Sequence, residues 1–170
     1  KNVYFNYDDY DELEESLKLK LEQKKINYYK GLKSLKTLYY TFNFLNSSLY
    51  NNENDNSLVT YFKYLDYTFL YMGDASSARE TDIIKKYNLE KITILKVGHH
   101  GSKTSSSKEF INEINPKYSI ISVGKNNRYG HPNKEAVNNL NNSKIYRTDE
   151  DGSIMFKIKN NELKIETYSP

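Results

Sequence analysis

Residues 92–107 read ITILKVGHHGSKTSSS, and this stretch decides the fold. Ile92–Val97 is a short apolar run broken only by Thr93 and Lys96, the pattern of a buried strand. A polar loop with both glycines and both histidines follows at Gly98–Ser107, and a helix then runs to about Asn115, where Pro116 stops it. The same strand-then-helix order flanks it on both sides. Upstream, the aromatic, β-branched runs Leu58–Tyr64 and Tyr67–Met72 form a hairpin around Leu65-Asp66. Gly73-Asp74 ends the second run, and Ser76 or Ser77 caps a helix to about Tyr87, with Glu80 in reach of a capping box. Downstream, Tyr118–Val123 is a strand, Gly124–His131 a loop, and Pro132 the first residue of a helix to about Leu140. Strand–helix alternation of this kind predicts an α/β layered domain with a mixed sheet.

The ends of the chain are read from simpler signals. Asp8, Asp9, Asp11, Glu12, Glu14 and Glu15 precede Lys18, Lys20, Lys24 and Lys25, a charge order that suits a helix dipole. Leu13, Leu17 and Leu21 give that helix an apolar stripe, and Glu14 and Lys18 stand at the i,i+4 spacing. Tyr39–Leu45 alternates as a half-buried strand. Residues 51–57 (NNENDNS) are a polar loop. Lys144–Thr148 is a strand, Asp151-Gly152 a turn, and Ser153–Lys159 with Leu163–Thr167 a closing hairpin across Asn160-Asn161. No linker divides these elements, so residues 1–170 are expected to form one domain.

Composition narrows the chemistry. The chain has no cysteine, which excludes a disulfide scaffold, a thiolate zinc site and a cysteine nucleophile. A formal charge of +3 is too small for overall charge to indicate nucleic-acid binding. There is no phosphate-binding Gly-x-x-x-x-Gly-Lys loop and no nucleophile elbow. No apolar run approaches the ~20 residues of a membrane span.

The three histidines, His99, His100 and His131, all fall in loops that leave the carboxyl ends of strands, and so does Asp74. Ligands of open α/β sheets bind at those ends. A carboxylate and imidazoles form a divalent-metal ligand set. Adjacent histidines cannot both point one way without backbone distortion, so one of the pair is expected to be a ligand. Gly98 and Gly101 permit unusual backbone shapes around them. Ser102, Lys103, Thr104 and Ser105–Ser107, with Lys125, Arg128 and Lys134 in the same or the next loop, make an anion site. By spacing alone, a metal site, an ordinary turn and exposed histidines all stay open.

Phe69–Ala75 (FLYMGDA), Leu95–Ser107 (LKVGHHGSKTSSS), Pro116–Pro132 (PKYSIISVGKNNRYGHP) and Tyr146–Gly152 (YRTDEDG) together resemble the metallo-β-lactamase-like domain of the ComEC/Rec2 competence proteins. The resemblance runs from about Asn54 to Phe156. It implies a four-layer αββα sandwich with a two-metal hydrolytic site, its ions zinc or manganese. It matches Asp74 to the aspartate that bridges the metals and His100 to a metal ligand. His99 and His131 become substrate contacts, with Lys103 alongside them, and Ser102, Lys103 and Arg128 would hold phosphate. Asp149 falls near the site, where a turn role is equally open. The implied activity is phosphodiester hydrolysis on DNA during uptake. A non-catalytic module that binds DNA or a partner, and a hydrolase of another phosphate ester such as choline phosphate, are the alternatives. The implied location is membrane-associated or extracytoplasmic.

One departure stands out. The family's His-x-His-x-Asp-His motif is absent, since no histidine precedes His99. Near Leu45-Asn46, where relatives carry another ligand histidine, Asn46 is a weak substitute. The sandwich is therefore expected to be incomplete at its amino-terminal side. This would be either the carboxyl portion of a longer polypeptide or a metal-poor relative, with the missing half, another chain or a second copy completing it.

Overall fold

Tyr61, Thr68 and Leu70 turn one way in their strands, and Phe62, Phe69 and Tyr71 turn the other, and this alternation organises the molecule. The computed structural model describes residues 1–6, 12–45 and 49–169. Asp8, Asp9, Asp11 and Asn46 lie outside the described residues.

The chain opens with β1 (Asn2–Phe5), α1 (Glu12–Gln23) and β2 (Asn27–Lys30), and β1 pairs parallel with β2 as a small separate sheet. Next come β3 (Ser34–Lys36), β4 (Thr41–Phe44), β5 (Thr60–Tyr64), β6 (Tyr67–Tyr71) and α2 (Ser77–Lys86). Then follow β7 (Ile94–Lys96), α3 (Lys108–Ile114), β8 (Tyr118–Ile121), α4 (Lys134–Asn139) and β9 (Lys144–Arg147). A short α5 (Thr148–Asp151) leads to the closing hairpin of β10 (Ser153–Lys159) and β11 (Glu162–Tyr168).

Seven strands form one mixed sheet in simple sequence order, β3 to β9. Its first half is antiparallel, with short turns between β3 and β4 and between β5 and β6 and a longer connection over residues 45–59; β6, β7, β8 and β9 are parallel, each pair joined through a helix. One face carries Leu70, Met72, Leu95, Val97 and Ile121, packed under Ile83 of α2, Phe110 and Ile114 of α3, and Leu140. The other face is an aromatic ladder: Phe62 stacks on Phe69 with centroids 4.5 Å apart and planes 3° apart. The closing hairpin packs on that second face, where Phe156 meets Tyr118 and Tyr146 edge-on. This is a mixed α/β fold of the metallo-β-lactamase type, as expected.

Some local expectations change. The sequence reading missed β1, β2 and β3, short strands with little alternation. In α1 only Leu21 is buried, while Leu13 is 77% exposed, so the leucine stripe is seated only at its last turn. Ser76, not Ser77, caps α2, accepting from the Ala78 N–H. Glu80 is then one position too far for a capping box, and its carboxylate goes elsewhere. Pro132 precedes α4 instead of starting it, because Asn133 takes the cap by accepting from the Glu135 N–H.

Leu70 is fully buried between the sheet and its helices. Leu70→Ala is expected to cost about 2–5 kcal/mol in denaturant unfolding. A loss below about 1 kcal/mol would mean that the helix-covered face is not the core.

Candidate active site

Three parallel strands end side by side, so the loops after β6, β7 and β8 share one rim. Gly73 turns the chain out of β6 at φ +60°, and a Cβ there would stand 2.7 Å from the Ser57 Cβ. That close approach lets the Ser57 hydroxyl accept the Asp74 N–H at 2.9 Å. The buried Asp55 carboxylate takes the Ser76 N–H at 2.7 Å. Residues 51–57, read from sequence as a plain polar loop, thus brace the Asp74 turn.

The histidine loop is held more tightly. His99 and His100 both adopt left-handed backbone, at φ 44° and 55°, which is the distortion expected of an adjacent pair. The His99 N–H donates to the Gly73 carbonyl at 2.9 Å, stitching the loops after β6 and β7 together. Gly101, at φ +74°, lies so close to Pro132 that a Cβ would meet the proline Cβ at 2.8 Å. Its carbonyl accepts the Asn133 N–H at 2.8 Å, joining the loop after β8. Ser105 Oγ donates to the Gly98 carbonyl at 2.9 Å. The carboxylate that left the helix cap reappears here: Glu80, 1% exposed, accepts the N–H groups of Ser106 at 2.5 Å and Ser107 at 2.8 Å. Burial raises its pKa against the pull of those two donors.

The predicted ligands converge. His100 Nδ1 lies 2.6 Å from the Ser122 carbonyl oxygen, which can only accept, so the neutral ring carries its proton on Nδ1. Nε2 is then a bare lone pair, and it stands 3.9 Å from Asp74 Oδ1. An imidazole oriented by a carbonyl on its far nitrogen is the arrangement of a metal-ligating histidine. Two donors each about 2.1 Å from one ion stand about 3.4 Å apart in a tetrahedral site, so this pair would have to close by about 0.5 Å to share one. Among the described residues no three His, Cys, Asp or Glu side chains converge on one point. The pair by itself does not make up a metal site.

The His99 ring lies 5.8 Å from that of His131. His131 has a lowered pKa, chiefly from burial and then from His99 and His100 nearby, so it is held neutral. His99, Lys103, Ser76, Ser77 and Thr104 line one cavity of about 540 Å³. Ser102 lines it too, but is 5% exposed, and its Oγ engages Thr104. His100 and His131 line a second cavity, of about 420 Å³. Arg128 donates to the Tyr129 hydroxyl at 2.7 Å. Asp149 makes a two-point contact with Arg147, at 3.0 and 2.6 Å.

Lys96 escaped the sequence reading, which took it for an interruption of a strand. It is largely buried on the aromatic face, and its Nζ donates to the Val97 carbonyl at 2.9 Å. Desolvation lowers its pKa, and the nearby charge of Asp74 opposes that shift. A lysine in an otherwise apolar strand, one loop from an aspartate, was the available signal.

Residues 48–125 match the metallo-β-lactamase superfamily. Over that stretch the chain is similar to a superfamily whose members usually bind divalent metals. Within it, the chain sits with the ComEC/Rec2 competence proteins. It is 36% identical over 121 residues to ComE operon protein 3 of Bacillus subtilis (strain 168), a match covering 70% of this chain and 16% of that protein. Over 130 residues it is 32% identical to Competence protein ComA of Neisseria gonorrhoeae, covering 74% of this chain and 19% of the relative. It is also 32% identical over 99 residues to Recombination protein 2 of Haemophilus influenzae, covering 57% of this chain and 12% of the relative. The chain thus matches less than a fifth of the length of each of these proteins. No helix among the described residues is long and apolar enough to cross a membrane.

Two tests follow from this geometry. Glu80→Gln places an amide N–H₂ against one of two backbone N–H donors and leaves that donor unsatisfied. A loss of about 1–3 kcal/mol is expected in chemical denaturation, and an unchanged midpoint would remove the bracing role. His131 is expected to protonate below the ordinary histidine value of about 6.5 in a ring-proton NMR titration. Because the folded value is depressed, protonation opposes folding, so stability linked to His131 is present above about pH 6.5 and declines as pH falls.

Proposed function

We propose that this chain carries part of a divalent-metal-dependent phosphodiesterase site that acts on DNA. The observation that carries the reading is the Asp74–His100 pair, 3.9 Å apart, with His100 oriented by the Ser122 carbonyl. Asp74 Oδ1 and His100 Nε2 would hold an ion, zinc or manganese, in a two-metal centre. A bound ion of this kind supplies Lewis-acid polarisation of a phosphoryl oxygen.

The rest falls to the chain's own groups. His100 keeps its proton on Nδ1 against Ser122 and leaves Nε2 free for the ion. Lys103 and the hydroxyls of Ser76, Ser77 and Thr104 seat a phosphate in the polar cavity, with Ser102 shaping the loop beneath them. His99 stands between that phosphate and His131. A neutral His131 accepts or donates one hydrogen bond without bringing a second positive charge toward the ion. Arg128 contacts a neighbouring stretch of the substrate backbone. The remaining ligands come from another segment of polypeptide, another chain or a second copy, because a two-metal centre needs more donors than these. The relatives named for competence and recombination support DNA as the substrate and DNA uptake as the setting, at a membrane or outside the cytoplasm.

The absence of a third converging ligand among the described residues favours a second reading, a module that binds DNA or a partner without cutting it. One experiment separates the two. Single-stranded DNA is incubated with the protein and zinc or manganese, and cleavage is followed on gels, while calorimetry counts bound metal. The hydrolytic reading expects metal-dependent cleavage that a chelator abolishes. Asp74→Ala should lower it at least about 100-fold and weaken metal binding, as ligand loss does. Cleavage unaffected by Asp74→Ala sinks the assignment; DNA binding without cleavage or metal uptake favours the binding module.

A further inference from the structure

The phosphodiesterase reading leaves one prominent side chain without a task. Tyr129 is 66% exposed, yet its loop is firmly held. Asn127 Oδ1 accepts the N–H groups of both Tyr129, at 3.2 Å, and His131, at 3.0 Å. Asn127 Nδ2 donates back to the Gly124 and His131 carbonyls at 3.1 and 2.7 Å. One amide thereby closes residues 124–131 into a knot. The Tyr129 ring lies nearly parallel to that of His131, 18° apart with centroids 5.9 Å apart. The Arg128 guanidinium stands 4.9 Å from the Tyr129 centroid and donates to its hydroxyl. Ordering an exposed aromatic in this way costs conformational freedom and buries no core surface in return. Such a ring is pre-arranged for something that arrives from solution.

The cavity beside it indicates what arrives. Tyr129 and His131 line the 420 Å³ space with His100, Val123, Gly124 and Thr148, and no lysine, arginine or carboxylate is among its lining residues. That volume falls in the range of about 300–1,000 Å³ typical of small-ligand sites. It is a poor seat for a phosphate and a good one for a flat heterocycle with polar edges. The Lys103 cavity, in contrast, is polar and cationic. His99 lines one cavity and His100 and His131 line the other, so a strand whose phosphate sits at the histidines reaches both.

We propose that Tyr129 is a stacking platform for the nucleobase next to the scissile phosphate, which makes the site selective for strands with unpaired bases. This rests on the phosphodiester reading above. A base offers its ring face to an aromatic side chain only when it is unstacked, and stacking of this kind tolerates any sequence.

The test measures binding without added metal, so that cleavage does not enter. A fluorescein-labelled hexathymidylate and the same hexamer with abasic tetrahydrofuran residues carry equal charge, and anisotropy gives both affinities. The base-bearing strand should bind about tenfold more tightly. Tyr129→Ala should remove that advantage by weakening only the base-bearing strand, and Tyr129→Phe should keep it. Circular dichroism confirms that the exposed substitution leaves the fold intact. Equal affinity of the two strands for the wild-type protein, or an advantage that survives Tyr129→Ala, overturns the platform. If neither strand binds, both the platform and the phosphodiester reading fall. A base advantage without metal-dependent cleavage supports the platform and places the failure with hydrolysis.

Discussion

The parallel pairing of Phe69 with Ile94 and of Ile94 with Tyr118 puts the ends of β6, β7 and β8 level with one another. Everything at the rim follows from that alignment. Parallel strands need crossovers, and the crossovers here are α2 and α3, whose apolar residues cover one face of the sheet. With the helices on that face, the loops leaving the strand ends are free to carry polar chemistry. A slip of one residue in this register would turn Leu70 and Leu95 off the core and carry Asp74 and His100 apart.

The loops are not left to find their shape. Two consecutive histidines in left-handed backbone are costly for residues with a Cβ, and such strain persists only where the surroundings impose it. Here the surroundings are polar and mostly buried: Glu80 on the Ser106 and Ser107 N–H groups, Ser105 on Gly98, Asp55 on Ser76, and Ser57 on Asp74. A carboxylate placed at the start of α2 thus shapes a loop that follows the next strand. The strain and its bracing lie at the same rim as the ligand pair, which is where strained backbone concentrates in proteins that act on ligands.

The rim divides its chemistry between two cavities. On one side are Lys103 and a set of hydroxyls suited to an anion. On the other, an aromatic wall of Tyr129 and His131 meets Val123 and carries no formal charge. Lys96 adds a partly buried amine near Asp74. The aromatic ladder on the sheet's second face, covered in part by the closing hairpin, is the side on which a further layer of an αββα sandwich would lie.

Much of this was readable before any coordinates. Period-two alternation marked β4, β10 and β11, and aromatic, β-branched runs marked the β5–β6 hairpin. Short, mostly apolar runs marked β7 and β8, which lie in the middle of the sheet. The placement of Asp74, His99, His100 and His131 after successive strands was enough to suggest a shared rim, since strand ends are where an α/β sheet binds ligands. Local sequence could not show which partner each side chain would choose. Glu80 looked like a helix cap and became the anchor of a distant loop; residues 51–57 looked like a plain polar loop and became a brace. Lys96 looked like a flaw in a strand, and Tyr129 like an ordinary loop residue. Glu80 and Ser106 are 26 residues apart in sequence and Asp55 and Ser76 are 21 apart, and only the assembled sheet brings such groups within hydrogen-bonding distance.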